Sequence, residues 1–378
     1  MRPAAYWYNQ VMSFALPNSV DALFVTSPSN IRYLVGFVGS EPTNRDAYIL
    51  LTKSATYLFT NSLYLEQAER LSRSPLGLVG DRRDRLTLIR IDRNNTVFDV
   101  LTGVICDANI SRLGFEEDNL TVREYTSLKD KLDAGSLYPC AGIVETMRMY
   151  KSKKELKAMK AASAITDACF SEVVAHIKPG VREAELAWRI ETYFKENGAG
   201  SAFSPIVAFG GNASEPHYVR VGSGPNLKKS DLVLLDFGAR VDGYASDMSR
   251  VIFTGKPDKK WTTAYEACLA AQTKALSYLG STSQPMGAVA DQLARDEIAY
   301  AGFVPYSHSL GHGLGLDIHE APRLTVKKDA KLLPGMAFTV EPGIYVPGKF
   351  GIRIEDTVAL TMSGLEVLTN SDKQIRIV

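Results

Sequence analysis

Histidine and cysteine are scarce in this 378-residue chain, five and four in number, and the patterns missing around them narrow its chemistry. Cys106, Cys140, Cys169 and Cys268 show no Cys-x-x-Cys spacing and fall among apolar neighbours. That argues against a disulfide framework or a thiolate metal site and favours a reducing compartment. Charge of one sign is missing too. With 43 basic and 42 acidic residues the net charge is +1, so the electrostatics make no case for nucleic acid or a membrane surface. No apolar run approaches the ~18 residues of a spanning helix. The opening Met1-Arg-Pro-Ala-Ala-Tyr-Trp-Tyr8 lacks the basic-then-apolar layout of a signal peptide. The expectation is a cytoplasmic protein. No glycine-rich phosphate loop is present, since Gly36-x-x-Gly39 is too weak a pattern to count, and Asp81-Arg-Arg-Asp-Arg85 reads as a solvated turn.

What is present is an ordinary globular composition, 45% hydrophobic and 22% charged, in a chain longer than one core usually supports. Two domains are expected, 1–145 and 146–378. In the first, Ala22–Thr26, Asp46–Leu51, Thr56–Phe59 and Arg112–Phe115 read as strands, with helical patterns at Ser62–Arg70 and Thr121–Leu132, so it is a small α/β unit. In the second, Ser152 and Glu155 form a capping-box pattern at the head of a long amphipathic helix that stops at Pro179-Gly180. A helix over Glu183–Asn197 follows, then strands. The order then recurs: a helix over Trp261–Leu279, a break at Pro285, a helix to Ala301, and strands again. This helix-helix-hairpin pattern, occurring twice, reads as an internal duplication about a pseudo-two-fold axis.

Each hairpin carries two acids. Leu232-Val-Leu-Leu235 is a buried-strand run that leads into Asp236, Asp242-Gly243 is a strong turn signal, and Tyr244–Phe253 reads as the returning strand. If Arg240–Gly243 is a four-residue loop, Asp236 falls directly opposite Asp247, with Cβ atoms roughly 5 Å apart. Like charges so placed are destabilising without a cation. In the second half, Ala337-Phe-Thr-Val340 leads into Glu341, Pro347-Gly348-Lys349 turns, and Gly351-Ile-Arg-Ile354 leads into Glu355. These two acids are symmetric about Gly348. The plain alternative is solvent-facing acids on edge hairpins. Two symmetric pairs at the ends of apolar runs argue against it, because burying an unpaired carboxylate is costly.

Of the five histidines, His308, His312 and His319 cluster, whereas His176 near the end of the long helix reads as a surface or C-cap residue. A satisfied core histidine is the plain reading of any single one, but the clustering points to function. Gly311 and Gly313 let backbone approach closely around His312. One imidazole with four carboxylates suits two divalent cations, which could share a bridging hydroxide and clamp a tetrahedral intermediate.

The motif text Leu235-Asp-Phe-Gly238, Ser246-Asp-Met-Ser-Arg250, Gly311-His-Gly-Leu-Gly-Leu-Asp-Ile-His-Glu320, Val340-Glu-Pro-Gly343 and Arg353-Ile-Glu-Asp356 resembles the "pita-bread" metallopeptidases, the clan of methionine aminopeptidase, aminopeptidase P and prolidase. Asn30–Phe37 and Val144–Arg148 resemble its Xaa-Pro branch, in which a creatinase/prolidase-like N-terminal α/β domain precedes the α+β pita-bread domain. The resemblance implies that Asp247 and Glu355 bridge the metals, Asp236 chelates one, and His312 with Glu341 completes the other. It further implies Glu341 as general base, and His217 and His319 as the residues that orient substrate, stabilise the oxyanion and protonate the departing proline nitrogen. His308 would line the proline side. Arg353 would anchor the acid ring, against the plain reading of an exposed strand arginine.

A bond to proline is a tertiary amide without an N–H. A hydroxide-based site needs no such donor, only a small pocket and a proton for the leaving amine. The leading expectation is an Xaa-Pro aminopeptidase acting on peptides with proline second, and the nearest alternative is an Xaa-Pro dipeptidase (prolidase). Metal-free creatinase-like amidinohydrolases and non-catalytic binding relatives are more remote, because all five ligand types are present. Manganese is the expected metal, with cobalt, zinc or iron permitted by the donors. By resemblance the chain is expected to form a homodimer or homotetramer, in which the N-terminal domain of one chain helps to close its neighbour's site.

Overall fold

A computed structural model of the chain describes Leu16 and residues 19–40, 44–73, 86–132, 134–328 and 330–378. The opening eight residues and the charged turn at 81–85 lie outside these. The chain divides into two compact units, Met1–Arg148 and Met149–Val378.

In the first unit, β1 (Ala22–Val25), β2 (Ala47–Thr52), β3 (Thr56–Thr60), β4 (Leu86–Arg90), β5 (Leu113–Glu116) and β6 (Leu137–Cys140) form one mixed sheet in the order β4-β3-β2-β1-β5-β6. Helices α1 (Pro28–Val35), α2 (Leu65–Arg73), α3 (Val97–Asp107), α4 (Val122–Lys131) and α5 (Ile143–Arg148) accompany it. Phe24, Leu50, Phe59, Leu101 and Leu113 are among the side chains of its core. Periodicity missed β4 and β6, the two edge strands. β4 is only half-buried, and β6 contains Pro139, which reads against a strand anywhere but at an edge. Gly36 is the left-handed C-cap of α1, which accounts for its place in the sequence.

The second unit opens with α6 (Lys153–Val174), whose capping box is formed as expected: Ser152 N–H donates to Glu155 Oε2 at 2.7 Å, and Ser152 Oγ accepts from Glu155 N–H. Then follow α7 (Glu183–Glu196), β7 (Gly200–Ser201), β8 (Ile206–Phe209), β9 (Asp231–Phe237), β10 (Ala239–Val241), β11 (Tyr244–Ala245) and β12 (Met248–Thr254). The second half repeats the order with α8 (Lys259–Ser281), α9 (Gly287–Tyr300), β13 (Gly311–Gly313), β14 (Glu320–Leu324), β15 (Ala337–Val340), β16 (Gly343–Val346), β17 (Phe350–Arg353), β18 (Asp356–Thr361), β19 (Gly364–Val367) and β20 (Arg376–Ile377). No helix among the described residues is long and apolar enough to cross a membrane.

The first hairpin closes differently from the expected register. Asp242 and Gly243 both take positive φ, 51° and 90°, as the two central residues of a tight hairpin turn do. The loop is therefore two residues long rather than four. Asp236 pairs with Ser249, and Asp247, between Met248 (paired with Phe237) and Ser246 (bonded to Ala239), faces Gly238. The shift is an even number of residues, so both aspartates stay on one face, as diagonal rather than direct neighbours. The returning strand is also not continuous, because β11 and β12 join different sheets and Ser246 and Asp247 lie between them. The second hairpin keeps its expected symmetry. Gly343 pairs with Arg353 and Val340 with Asp356, so Glu341 and Glu355 face each other in the gap between two ladders.

Backbone contacts sew the two halves together beside the acids. Glu355 N–H donates to the Ser249 carbonyl at 3.2 Å. The Thr357 hydroxyl accepts from Asp247 N–H at 3.0 Å and donates to the Asp247 carbonyl at 2.8 Å. Gly238 makes room for this seam: a methyl there would fall 1.8 Å from the Ser246 carbonyl oxygen. Gly238→Ala should therefore force the strands apart and cost at least about 1–3 kcal/mol. Calorimetry should show this as a lowered Tm, and a wild-type Tm would mean that the contact is not tight.

Candidate metal centre

Each site residue is placed by its local backbone. Asp236 is the penultimate residue of β9, Asp247 precedes β12, Glu341 follows β15 and Glu355 precedes β18. His312 lies at the centre of β13, and its flanking glycines are needed there. A Cβ on Gly311 would sit 1.9 Å from the Thr339 carbonyl oxygen, and one on Gly313 would sit 2.1 Å from that of Ala321. All nine residues expected from the sequence, Asp236, Asp247, His312, Glu341, Glu355, His217, His308, His319 and Arg353, line one cavity of about 270 Å³.

The inner wall is strongly acidic. Asp236, Asp247, His312 and Glu355 are buried, and ligand atoms of Asp247, His312 and Glu355 all lie within 4.8 Å of one another. His312 Nδ1 lies 3.1 Å from the Gly313 carbonyl, so Nδ1 carries the proton and Nε2 is a bare lone pair. That lone pair points at Glu341 Oε1, 3.3 Å away, and Asp247 Oδ2, 3.7 Å away. Burial drives the His312 pKa down to about 3, so the imidazole is neutral. Burial and mutual repulsion raise the acids: Glu341 to about 8, Asp247 and Glu355 well above the usual carboxylate range. Asp236 Oδ1 and Asp247 Oδ1 are buried without a hydrogen-bond partner among the described residues. A neutral imidazole lone pair facing carboxylates, with orphaned carboxylate oxygens beside it, fits divalent cations and little else.

Arg353 is buried, not exposed, and braces this ring. It pairs with Asp236 Oδ2, donates from Nε to Ser249 Oγ at 2.8 Å, and donates from NH1 to Tyr345 OH at 2.8 Å. Ser249 Oγ in turn donates to Glu355 Oε2 at 2.6 Å. One guanidinium thus reaches an acid of each half.

The outer wall carries the remaining histidines, and a buried acid pins the segment behind each. His217 is exposed, and its loop is held by Glu183, which accepts from Phe209 N–H, Asn212 Nδ2 and Tyr218 OH at 2.9–3.0 Å. His308 follows Tyr306, whose hydroxyl donates to Asp291, while Arg295 bonds Asp291 and donates to the Tyr306 and His308 carbonyls. Both His308 ring nitrogens are engaged, with the Ser309 carbonyl at 2.8 Å and Tyr345 OH at 3.1 Å, so the ring acts as wall. Burial lowers its pKa to about 4. His319 is exposed to the cavity, its ring edge-on to that of His312 with centroids 4.4 Å apart, and its pKa is lowered, chiefly by desolvation. His176 lies outside the site, just past the end of α6, with Nδ1 3.0 Å from the Glu172 carbonyl.

Sequence reading missed Arg323, Tyr345, Ser249 and Thr339, whose hydroxyl accepts from His312 N–H at 3.1 Å and donates to Glu341 Oε1 at 3.0 Å. Arg323 is the cross-strand partner of His312, and this is why both face the cavity. No local pattern marks it; only the β13–β14 pairing does.

Residues 157–362 match the family described as Metallopeptidase family M24, and residues 17–150 match the Creatinase/Prolidase N-terminal domain. The chain belongs to metallopeptidase family M24. Its architecture is the creatinase-type N-terminal domain followed by the pita-bread catalytic domain of an M24 hydrolase. It is 31% identical to a protein named Xaa-Pro dipeptidase from Pyrococcus furiosus, over 97% of this chain and 98% of that one. A solved Xaa-Pro dipeptidase from Bacillus anthracis is 35% identical with a TM-score of 0.86, covering 100% of both chains. A solved X-Pro aminopeptidase from Thermotoga maritima is 30% identical with a TM-score of 0.80, covering 95% of this chain and 98% of that one.

Two tests of this M24 centre follow from the acids. Above about pH 7.5, His308 and His312 are neutral whether folded or unfolded. Glu341, raised by burial to about 8, there still holds much of a proton in the folded chain that the unfolded chain has lost, and burial shifts Asp247 and Glu355 in the same direction. A group whose folded pKa is raised loses its stabilising contribution as pH climbs toward that pKa. Metal-free protein should therefore lose stability from about pH 7.5 to 8.5, by up to ~1.4 kcal/mol per pH unit for each proton held. A saturating divalent cation should flatten the slope. Calorimetry across that window decides it, and a flat metal-free profile would contradict the repulsion. Separately, Asp247→Ala should abolish metal binding and hydrolysis while leaving circular dichroism near wild type. Metal bound at wild-type stoichiometry would exclude Asp247 as a ligand.

Proposed function

We propose that this M24 peptidase is a proline-specific dipeptidase that hydrolyses Xaa-Pro, with two divalent cations, manganese in the first instance, held by Asp236, Asp247, His312, Glu341 and Glu355. Bound there, the cations would supply water activated near neutral pH and polarise the scissile carbonyl. Held as a carboxylate by the charge of bound cations, Glu341 would receive the proton of the attacking water. His217 and His319, the exposed imidazoles of the cavity, orient the carbonyl and deliver a proton to the departing proline nitrogen. His308 and Tyr345 form a wall with no free ring nitrogen, suited to the apolar face of the pyrrolidine ring.

The observation that carries the dipeptidase reading is Arg323. It lies directly opposite His312 and makes no ion pair among the described residues. Cross-strand partners stand roughly 5 Å apart at Cβ, little more than the ~3.8 Å between consecutive Cα atoms. In an Xaa-Pro dipeptide the free carboxylate is one residue from the scissile bond, where this cation would meet it. The cavity of about 270 Å³ falls just below the ~300–1,000 Å³ common for small-molecule pockets, which also suits a short substrate. The names of the Pyrococcus and Bacillus relatives favour this reading over the aminopeptidase put first from sequence. The solved Thermotoga X-Pro aminopeptidase supports the second reading, cleavage of longer peptides with proline second. A cytoplasmic location and assembly as a homodimer or homotetramer belong to the same proposal and rest on the sequence reading.

Manganese-loaded protein assayed on Ala-Pro and on an Arg-Pro-Pro tripeptide separates the two. The dipeptide should show the higher kcat/KM. Arg323→Leu should raise its KM about 10- to 100-fold, the worth of one charge-assisted hydrogen bond. Equal or better cleavage of the tripeptide by the wild type would favour the aminopeptidase.

A further inference from the structure

Glu320 closes the histidine-rich stretch yet has no part in the chemistry above. Its side chain is 7% exposed and its Oε2 lies 3.1 Å from Nζ of Lys151, itself 2% exposed. Lysine is almost never so buried without a charge partner. Such a pair adds little net stability, because desolvating two ions offsets their attraction. What it does supply is one permitted geometry.

That geometry governs the segment bearing His319. Glu320 Oε1 accepts from Asp317 N–H at 2.9 Å, and Gly315 N–H donates to the Asp317 carbonyl at 2.9 Å. The Glu320 carboxylate packs onto Gly315 so closely that a Cβ there would meet both its oxygens at 3.0 Å. From the far side, Ala245 N–H donates to the Gly315 carbonyl at 2.8 Å. Lys151 is fixed as well, since its N–H donates to the Gly335 carbonyl at 2.7 Å. The other two histidine-bearing segments are pinned differently. Glu183 and Asp291 use donors from within their own halves of the unit, whereas Glu320 reaches 169 residues back along the chain, to the start of the unit.

We propose that Lys151 and Glu320 are a positioning pair for hydrolysis: their buried ion pair locks the Gly315–Glu320 loop and so holds the His319 imidazole edge-on to His312 and aimed into the cavity. This rests on the reading of His319 as a substrate-facing group, and the test keeps the two claims apart.

Full-length, metal-loaded protein is compared as wild type, Glu320→Gln, Lys151→Met, the double variant and Lys151→Arg. Each single neutralisation should lower kcat on Ala-Pro about 10- to 100-fold, with KM changed less than about threefold. It should speed amide hydrogen exchange across residues 315–320 by about tenfold or more and leave exchange elsewhere in the catalytic unit unchanged. The double variant, with neither charge left to desolvate, should regain most of the melting temperature but not kcat or slow exchange. Lys151→Arg, which keeps the pair, should keep exchange slow. Unchanged exchange at 315–320 in Glu320→Gln would overturn the proposal, as would recovery of kcat together with melting temperature in the double variant. If the wild type cleaves no Xaa-Pro substrate, the substrate reading fails and the exchange measurements still decide the pair.

Discussion

The structure is governed by negative charge confined where water cannot relieve it. Four carboxylates and one neutral imidazole share the floor of a small cavity, and among the described residues the one guanidinium paired with a carboxylate of that floor is Arg353. Such a cluster is unstable alone, since close acids cannot all ionise in a low-dielectric site. The fold tolerates it by making every alternative worse. The Ser249 hydroxyl holds the Glu355 carboxylate, the Thr357 hydroxyl holds the Asp247 backbone, and the glycines around His312 let its strand pass close to its neighbours. The site is therefore set up for cations by the scaffold rather than assembled by them.

The duplication explains how such convergence is achieved without long-range search in the chain. Each half supplies a pair of acids at a place where one ladder gives way to another, and the halves are stitched at those places by Glu355 N–H to Ser249 and by the Thr357 hydroxyl to Asp247. The hydrophobic work is done elsewhere, where α6 and α7 pack on β8, β9 and β10 through Phe170, Leu186, Ile190, Phe194 and Leu235. Packing and chemistry are thus separated in space. An M24 domain can keep its core while its cavity is tuned.

Much of this was legible in the sequence because the deciding signals are local. The capping box at Ser152, the breaks at Pro179 and Pro285, and apolar runs ending in acids each follow from neighbours a few residues away. The face on which the acids lie survived an error in loop length, because strand side chains alternate with period two and the error was an even number. What escaped were relations between distant segments. The pairing of Arg323 with His312 and the junction of Tyr345 with His308 and Arg353 are set by which strands become neighbours. Edge strands β4 and β6 escaped for a different reason, since half-exposed or proline-containing segments carry only a weak alternating pattern. The choice between dipeptide and longer substrate belongs to the same class, because it turns on Arg323 and the size of the cavity.

Three of the four acids, Asp247, Glu341 and Glu355, stand just outside the strands that flank them. Their side chains can be exchanged without removing a rung from any sheet. Evolution can therefore edit the reactive floor of this architecture one residue at a time and leave a folded protein at every step, which makes the scaffold a natural source of relatives that have traded hydrolysis for other chemistry or for none.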